Sequence, residues 1–219
     1  PGNNHHPCRV ALYTAHQLGT QANWRHTMPT YTSPLPQRTA EDAEPDAGER
    51  LAKVKAATGR VPNMYGNLAN SPGLLGTYLD GMADLRHGSG FSAVELDVIF
   101  LTTSRHFECH YCMAAHSFLA DRVSKAPTDV VDAIRGDDPV PDEHLAALAD
   151  FTKAMLTSEG HPTEDDVAAF TAAGYTDRQV LELILAIAMK TISNWSNHVF
   201  DTPVDEMFAG RVWSPPESS

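Results

Sequence analysis

The chain has 219 residues, with 28 acidic and 16 basic side chains and a formal charge of −12. That length suffices for one domain with a sizeable core, and that charge argues against binding nucleic acid or an anionic membrane surface. No apolar run reaches the length of a membrane span, and three cysteines, Cys8, Cys109 and Cys112, are too few for a disulfide scaffold.

The N-terminus lacks the apolar stretch of a secretory signal. The expected location is therefore the cytoplasm, where thiols stay reduced unless they serve redox or metal chemistry. Residues 1–45 carry His5-His6-Pro7, four further prolines (Pro29, Pro34, Pro36, Pro45) and many polar residues. They show no period of 2 or 3.6, so a disordered or loosely attached tail is expected. Cys8 within it reads as an incidental thiol. The chain opens on Pro1, and Met28 is an expected start that the intact mass tests.

Helical patterns then run from residue 46 to about 213. Asp46 to Thr58 reads as a short helix closed by Gly59, and Met64 to Ala69 as another. Ser71-Pro72 reads as an N-cap with proline at the first helical position. The helix it opens puts Leu74, Leu75, Tyr78, Leu79, Met82 and Leu85 on one face. Ser92 with Glu95 forms a capping box, and Leu96, Ile99, Phe100 and Thr103 continue the inner face. The pattern weakens over 105–108, and a new helix starts near Cys109 and runs to about Val123. Further helices are expected over 127–135, 142–157, from Thr163 to Gly174, and over 177–200 behind a Thr176 cap. In the last, residues 180–189 are apolar almost all round, which predicts burial in the core or at a subunit interface. No segment alternates as a strand does. The expected fold class is all-α, with a frayed tail over 214–219.

The chemistry gathers in Cys109-His110-Tyr111-Cys112-Met113-Ala114-Ala115-His116. If the chain pivots near residues 106–108, two helices form an antiparallel hairpin. Asp97 lies ten residues before Phe107 and His116 nine after it, so at about 1.5 Å per residue they stand at similar depth and can face each other. Cys112 shares a face with His116, four residues on. Cys109 sits at the helix start. A helix N-terminus and an imidazolium both stabilise a thiolate. His116 can also take the thiol proton while Asp97 orients the ring. A thiolate that attacks a peroxide becomes a sulfenic acid, which a second thiol nearby condenses into a disulfide. In a regular helix, Cβ atoms three residues apart lie about 5–6 Å apart, against roughly 3.8 Å in a disulfide. Cys109 is therefore expected in an adjustable first turn, and an external dithiol must then reduce the bond. Two other readings of the same residues are structural cysteines and a zinc site completed by His116 and Asp97 or His110. No second CxxC or paired histidines stand at structural-zinc spacing, and no metal or cofactor is expected.

The block Glu95-Leu96-Asp97, Ser104 and Cys109 through Ser117 resembles the AhpD-like, carboxymuconolactone decarboxylase superfamily, and best its peroxidase-related branch. The resemblance extends to Val61-Pro62-Asn63-Met64, Ser71-Pro72, Ala172 through Asp177, Ala188 through His198 and Thr202 through Asp205, covering roughly residues 48–213. It implies an all-α bundle with a CxxC-bearing hairpin, assembled as homotrimers or homohexamers, and alkylhydroperoxidase-type activity. By carry-over Cys112 is the peroxidatic cysteine, Cys109 the resolving one and His116 the general base, with Asp97 in its relay. The implied reductant is a dithiol, in the prototype a lipoyl-bearing protein. Two positions depart from the pattern. Asp97 stands where the family usually has a glutamate, and Tyr111 where the prototype has a histidine. His198 and Trp195 are assigned to packing or an interface in preference to the site. The alternatives are cofactor-free decarboxylation of a lactone acid, which has no need of CxxC, and a non-catalytic thiol or metal sensor.

Overall fold

A computed structural model describes residues 30–215, and those from Thr32 onward form one compact unit. Cys8, Met28 and the rest of residues 1–29 lie outside the described residues, as do 216–219. Among the described residues are nine α-helices and no strand. They are α1 (Pro45–Thr58), α2 (Asn63–Leu68), α3 (Pro72–Gly88), α4 (Ala93–His106), α5 (His110–Leu119), α6 (Thr128–Gly136), α7 (Glu143–Thr157), α8 (Glu164–Ala172) and α9 (Asp177–Phe200). None is long and apolar enough to cross a membrane.

The helix starts follow local chemistry. Ser92 and Glu95 exchange hydrogen bonds in a capping box, as do Thr163 with Asp166 and Thr176 with Gln179, while Asp142 accepts from the Leu145 N–H. Each such cap is worth roughly 1 kcal/mol. Ser71 departs from expectation, since its side chain makes no capping hydrogen bond and Pro72 at the first position supports the start of α3 instead.

Helix α4 is the centre. Every residue from Leu96 to Ser104 is buried, and the helix packs against α5, α6, α7 and α9. The apolar stretch of α9 buries Leu183, Ala186 and Met189 but exposes Leu181 and Ile184. Helix α5 ends in a π-helical turn over Ala120–Ser124, closed by Lys125 in the left-handed region.

The compact unit begins at Thr32, ahead of the expected start at Asp46. Residues 36–43 lie along α1 and α2 with no period of their own, so nothing in the pattern marked them. Arg38 N donates to Gly66 O at 3.0 Å, the Arg38 guanidinium to Asn70 Oδ1 at 3.0 Å, and Asn70 Nδ2 to Pro36 O at 2.8 Å. Two glycines permit the approach. A Cβ on Gly48 would stand 2.6 Å from the Ala40 carbonyl oxygen, and one on Gly66 2.8 Å from that of Arg38. Gly48→Ala is therefore expected to destabilise the fold by about 1–3 kcal/mol through this overpacking, read as a lower urea midpoint. An unchanged midpoint would show that the segment does not dock on α1.

A second prediction concerns the Glu95–His144 pair, which ties the start of α4 to α7 at 2.9 Å. The hydrogen bond to Glu95 is the main reason the His144 imidazole sits above its ordinary 6.5. Burial pushes the Glu95 carboxyl up, but hydrogen bonds from Ser92 and His144 hold it below 4.5. The His144 contribution is thus full below about pH 6.5 and is lost as pH rises through its raised value. That of Glu95 is present above about pH 4.5 and is lost as pH falls through its lowered value. His144 is half-exposed, so the pair is worth less than about 1 kcal/mol. The melting-temperature deficit of His144→Gln should be largest near pH 5–6 and vanish in alkaline buffer; a deficit independent of pH contradicts the assignment.

Candidate functional site

The pivot between α4 and α5 is a tight turn. Phe107 N donates to Thr103 O, Glu108 N to Arg105 O and Cys109 N to Ser104 O, with Glu108 at φ 53°. Cys109 then caps α5, its sulfur accepting from the Cys112 N–H at 3.4 Å. The Cys109 thiol thus lies outside the regular helix, at its N-cap.

All four expected site residues converge and are buried. Cys109 and Cys112 are free thiols, 1% and 2% exposed, and His116 and Asp97 are each 7% exposed. His116 Nδ1 lies 3.5 Å from Asp97 Oδ1 across the hairpin, longer than a hydrogen bond. The Phe100 ring packs on the imidazole, centroids 4.9 Å apart.

Two further histidines stand near the pivot with contacts of their own. His110 Nδ1 meets Trp213 O at 2.9 Å, and the His106 ring sits edge-on to Phe107. Tyr111 is accounted for by the C-terminal segment, since its hydroxyl donates to Asp205 Oδ2 at 2.5 Å. Asp205 also accepts from the Asn63 N–H at 3.2 Å. Trp195 is 58% exposed and meets Phe107 on the outer surface, away from the thiols. His198 is also exposed.

Helix α9 supplies residues that sequence reading missed. Asn197 Nδ2 donates to Cys112 Sγ at 3.3 Å, and Ser193 Oγ lies 3.9 Å from the same sulfur. Lys190 is fully buried, and its Nζ has no hydrogen-bond partner among the described residues. It stands over the Phe100 ring, 5.7 Å from the centroid. A buried lysine without a partner is rare and costly, and such exceptions mark functional sites. The signal was present as Lys190, Ser193, Asn194 and Asn197, a polar stripe at helical spacing on an apolar helix.

These neighbours set the charge. Burial pushes the Cys112 thiol up, but the Cys109 hydrogen bond, the Lys190 ammonium, His116 and Asn197 together bring it well below its ordinary value. Cys109 is raised, first by the hydrogen bond it gives Cys112 and then by burial. Of the two thiols, Cys112 is therefore the one that gives up its proton more readily. Burial and then Lys190 lower His116 against the pull of Asp97, so the imidazole rests neutral, able to accept a proton. Lys190 is the cation we credit for the thiolate, because a neutral His116 contributes little charge. Cys112, His116 and Lys190 line a cavity of about 230 Å³ with Tyr65, Tyr78 and Phe208. Among the described residues no three His, Cys, Asp or Glu side chains are arranged to hold a metal ion.

Thiolate absorbance near 240 nm should therefore titrate in the wild-type protein below an ordinary thiol's 8.5 and vanish in Cys112→Ser. Its midpoint should move up in Lys190→Met. A midpoint at the ordinary value, or one that persists without Cys112, contradicts the charge assignment.

No protein-family model matches the sequence, and no curated protein does. Solved structures do. One is an alkylhydroperoxidase AhpD core, an uncharacterized peroxidase-related protein from Ralstonia eutropha JMP134, at a TM-score of 0.70 and 23% identity. The match covers 85% of this chain and 100% of that one. An uncharacterized peroxidase-related protein from Silicibacter sp. TM1040 superposes at 0.69 and 19% identity, over 85% and 98%. The debrominase Bmp8 in complex with 2,3,4-tribromopyrrole does so at 0.64 and 19%, over 84% and 96%. The chain has the all-α, AhpD-like fold of the peroxidase-related proteins.

Proposed function

We propose that this chain is a thiol-dependent hydroperoxide reductase acting in the cytoplasm. The observation that carries it is the buried Cys112 thiol, lining a cavity, with a second thiol, an imidazole and a buried lysine beside it. His116 takes the Cys112 proton. The thiolate attacks the terminal oxygen of the hydroperoxide, the O–O bond breaks, and Cys112 becomes a sulfenic acid. The alkoxide leaves as an alcohol with the proton from His116. Cys109 then gives its proton to His116 and attacks the Cys112 sulfur, and the S–OH bond breaks to release water. An external dithiol, of lipoyl type, returns the disulfide to two thiols by exchange. Asn197 holds the Cys112 sulfur in place, and the Asp97 carboxylate, 3.5 Å from the His116 ring, favours its charged form. Assembly as trimers or hexamers would cover Leu181, Ile184 and Trp195, which α9 exposes.

A second reading shares the dithiol and changes the substrate. The aromatic walls of the cavity and the debrominase among the similar structures favour reductive removal of halide from a small ring. There the thiols supply two electrons, and the ring exchanges halide for hydrogen.

Purified reduced protein should consume an alkyl hydroperoxide with dihydrolipoamide as reductant. Cys112→Ser should be inactive. Cys109→Ser should stop after one turnover with a trappable sulfenate, and His116→Ala should lose about 10²–10⁴-fold in rate. Asp97→Glu should close the gap to His116, favour the imidazolium and move the acid limb of the pH profile to higher pH. Absence of turnover in wild type with lipoyl and small dithiols alike sinks the reading; bromide release from a brominated pyrrole selects the second.

A further inference from the structure

The cavity above Cys112 combines apolar walls with a charge opposite to that of the chain. Its lining includes Met64, Tyr65, Tyr78, Met82 and Phe208, and it holds three basic residues and no acidic one. The whole chain carries 28 acids against 16 bases, so a lining drawn at random would be acidic. The three bases also stand at two depths. Lys190 is buried with Cys112 and His116 at the floor, whereas Arg60 and Arg86 are exposed and mark the mouth. Four other guanidinium groups, those of Arg50, Arg105, Arg178 and Arg211, each face a carboxylate of the chain. Neither Arg60 nor Arg86 has an ion-pair partner among the described residues.

We infer that the substrate of this site is a small apolar molecule ending in a carboxylate, held at the mouth by Arg60 and Arg86 while its reducible end reaches Cys112. This rests on the dithiol reading above and adds the class of molecule. The guanidinium fork matches a carboxylate in shape and charge. At about 230 Å³ the cavity is smaller than a drug-sized pocket, so the apolar part is of the order of one ring or a short chain. The tyrosine, phenylalanine and methionine walls suit either. The inference also separates two tasks by depth. Lys190 faces the reacting end beside the thiolate, and the two arginines face the end that does not react.

The test compares a matched pair on the full-length protein, cumene hydroperoxide and its para-carboxylate, with the same dithiol reductant. The acid should be preferred in kcat/KM by roughly tenfold or more. The preference should shrink with added salt and approach one in R60Q and R86Q. Equal use of the two substrates by wild type overturns the inference while leaving the peroxidase reading intact. Calorimetry on Cys112→Ser with 4-isopropylbenzoate and isopropylbenzene reads the same site without chemistry. Tighter binding of the benzoate, weakened in both arginine variants, supports it even if neither hydroperoxide is consumed, in which case only the peroxidase reading fails. Benzoate binding that is absent, or indifferent to both arginines, overturns it.

Discussion

The hydrogen bond from Cys109 N to Ser104 O closes the turn at which α4 ends and α5 begins, with Glu108 in the left-handed region between them. That one turn sets the register of the hairpin. It brings Asp97 opposite His116, leaves Cys109 outside the helix as its cap, and puts Cys112 in the first turn facing α9. A side chain other than glycine at positive φ carries a cost of roughly 1–2 kcal/mol, which the buried packing of α4 offsets. The C-terminal segment then fixes the outer side of α5. Tyr111 is tied to Asp205 and His110 to Trp213, and Arg135 bridges Ser117 to the carbonyls of Arg211 and Val212. The dithiol is thus held from three directions by α4, α9 and the chain end.

Charge in the site follows from burial and pairing together. An exposed CxxC beside a histidine would leave both groups near their ordinary values. Here burial lowers His116, the hydrogen bond to Cys112 and then burial raise Cys109, and Lys190 acts on both Cys112 and His116. It favours the thiolate and disfavours the imidazolium. A lysine can do this only where water does not screen it.

Much of this was legible in the sequence. The helices came from period and caps, above all the box at Ser92 and the cap at Thr176, because those signals are local. The four site residues came from spacing on two helices and a single assumption about the pivot. What escaped was set by tertiary contacts. Lys190, Ser193 and Asn197 stand on α9, whose apolar surround reads as core, and only the fold turns that stripe toward Cys112. Residues 36–43 dock through backbone carbonyls and two glycines, which leave no pattern. The 3.5 Å spacing of Asp97 and His116 depends on how closely two helices approach, a quantity that sequence does not encode locally.

The cavity reaches Cys112 but its lining does not include Cys109. Any visitor through the mouth therefore meets one sulfur of the pair. In the proposed cycle a substrate would come to that sulfur to be reduced, and a thiol entering the same way would come to it to break the disulfide, which would make Cys109 the leaving group of the return step. In so small a space the two visitors would exclude each other. The opening would then work as a turnstile: oxidant in, alcohol out, reductant in, with a buried disulfide as the record of the passage between them.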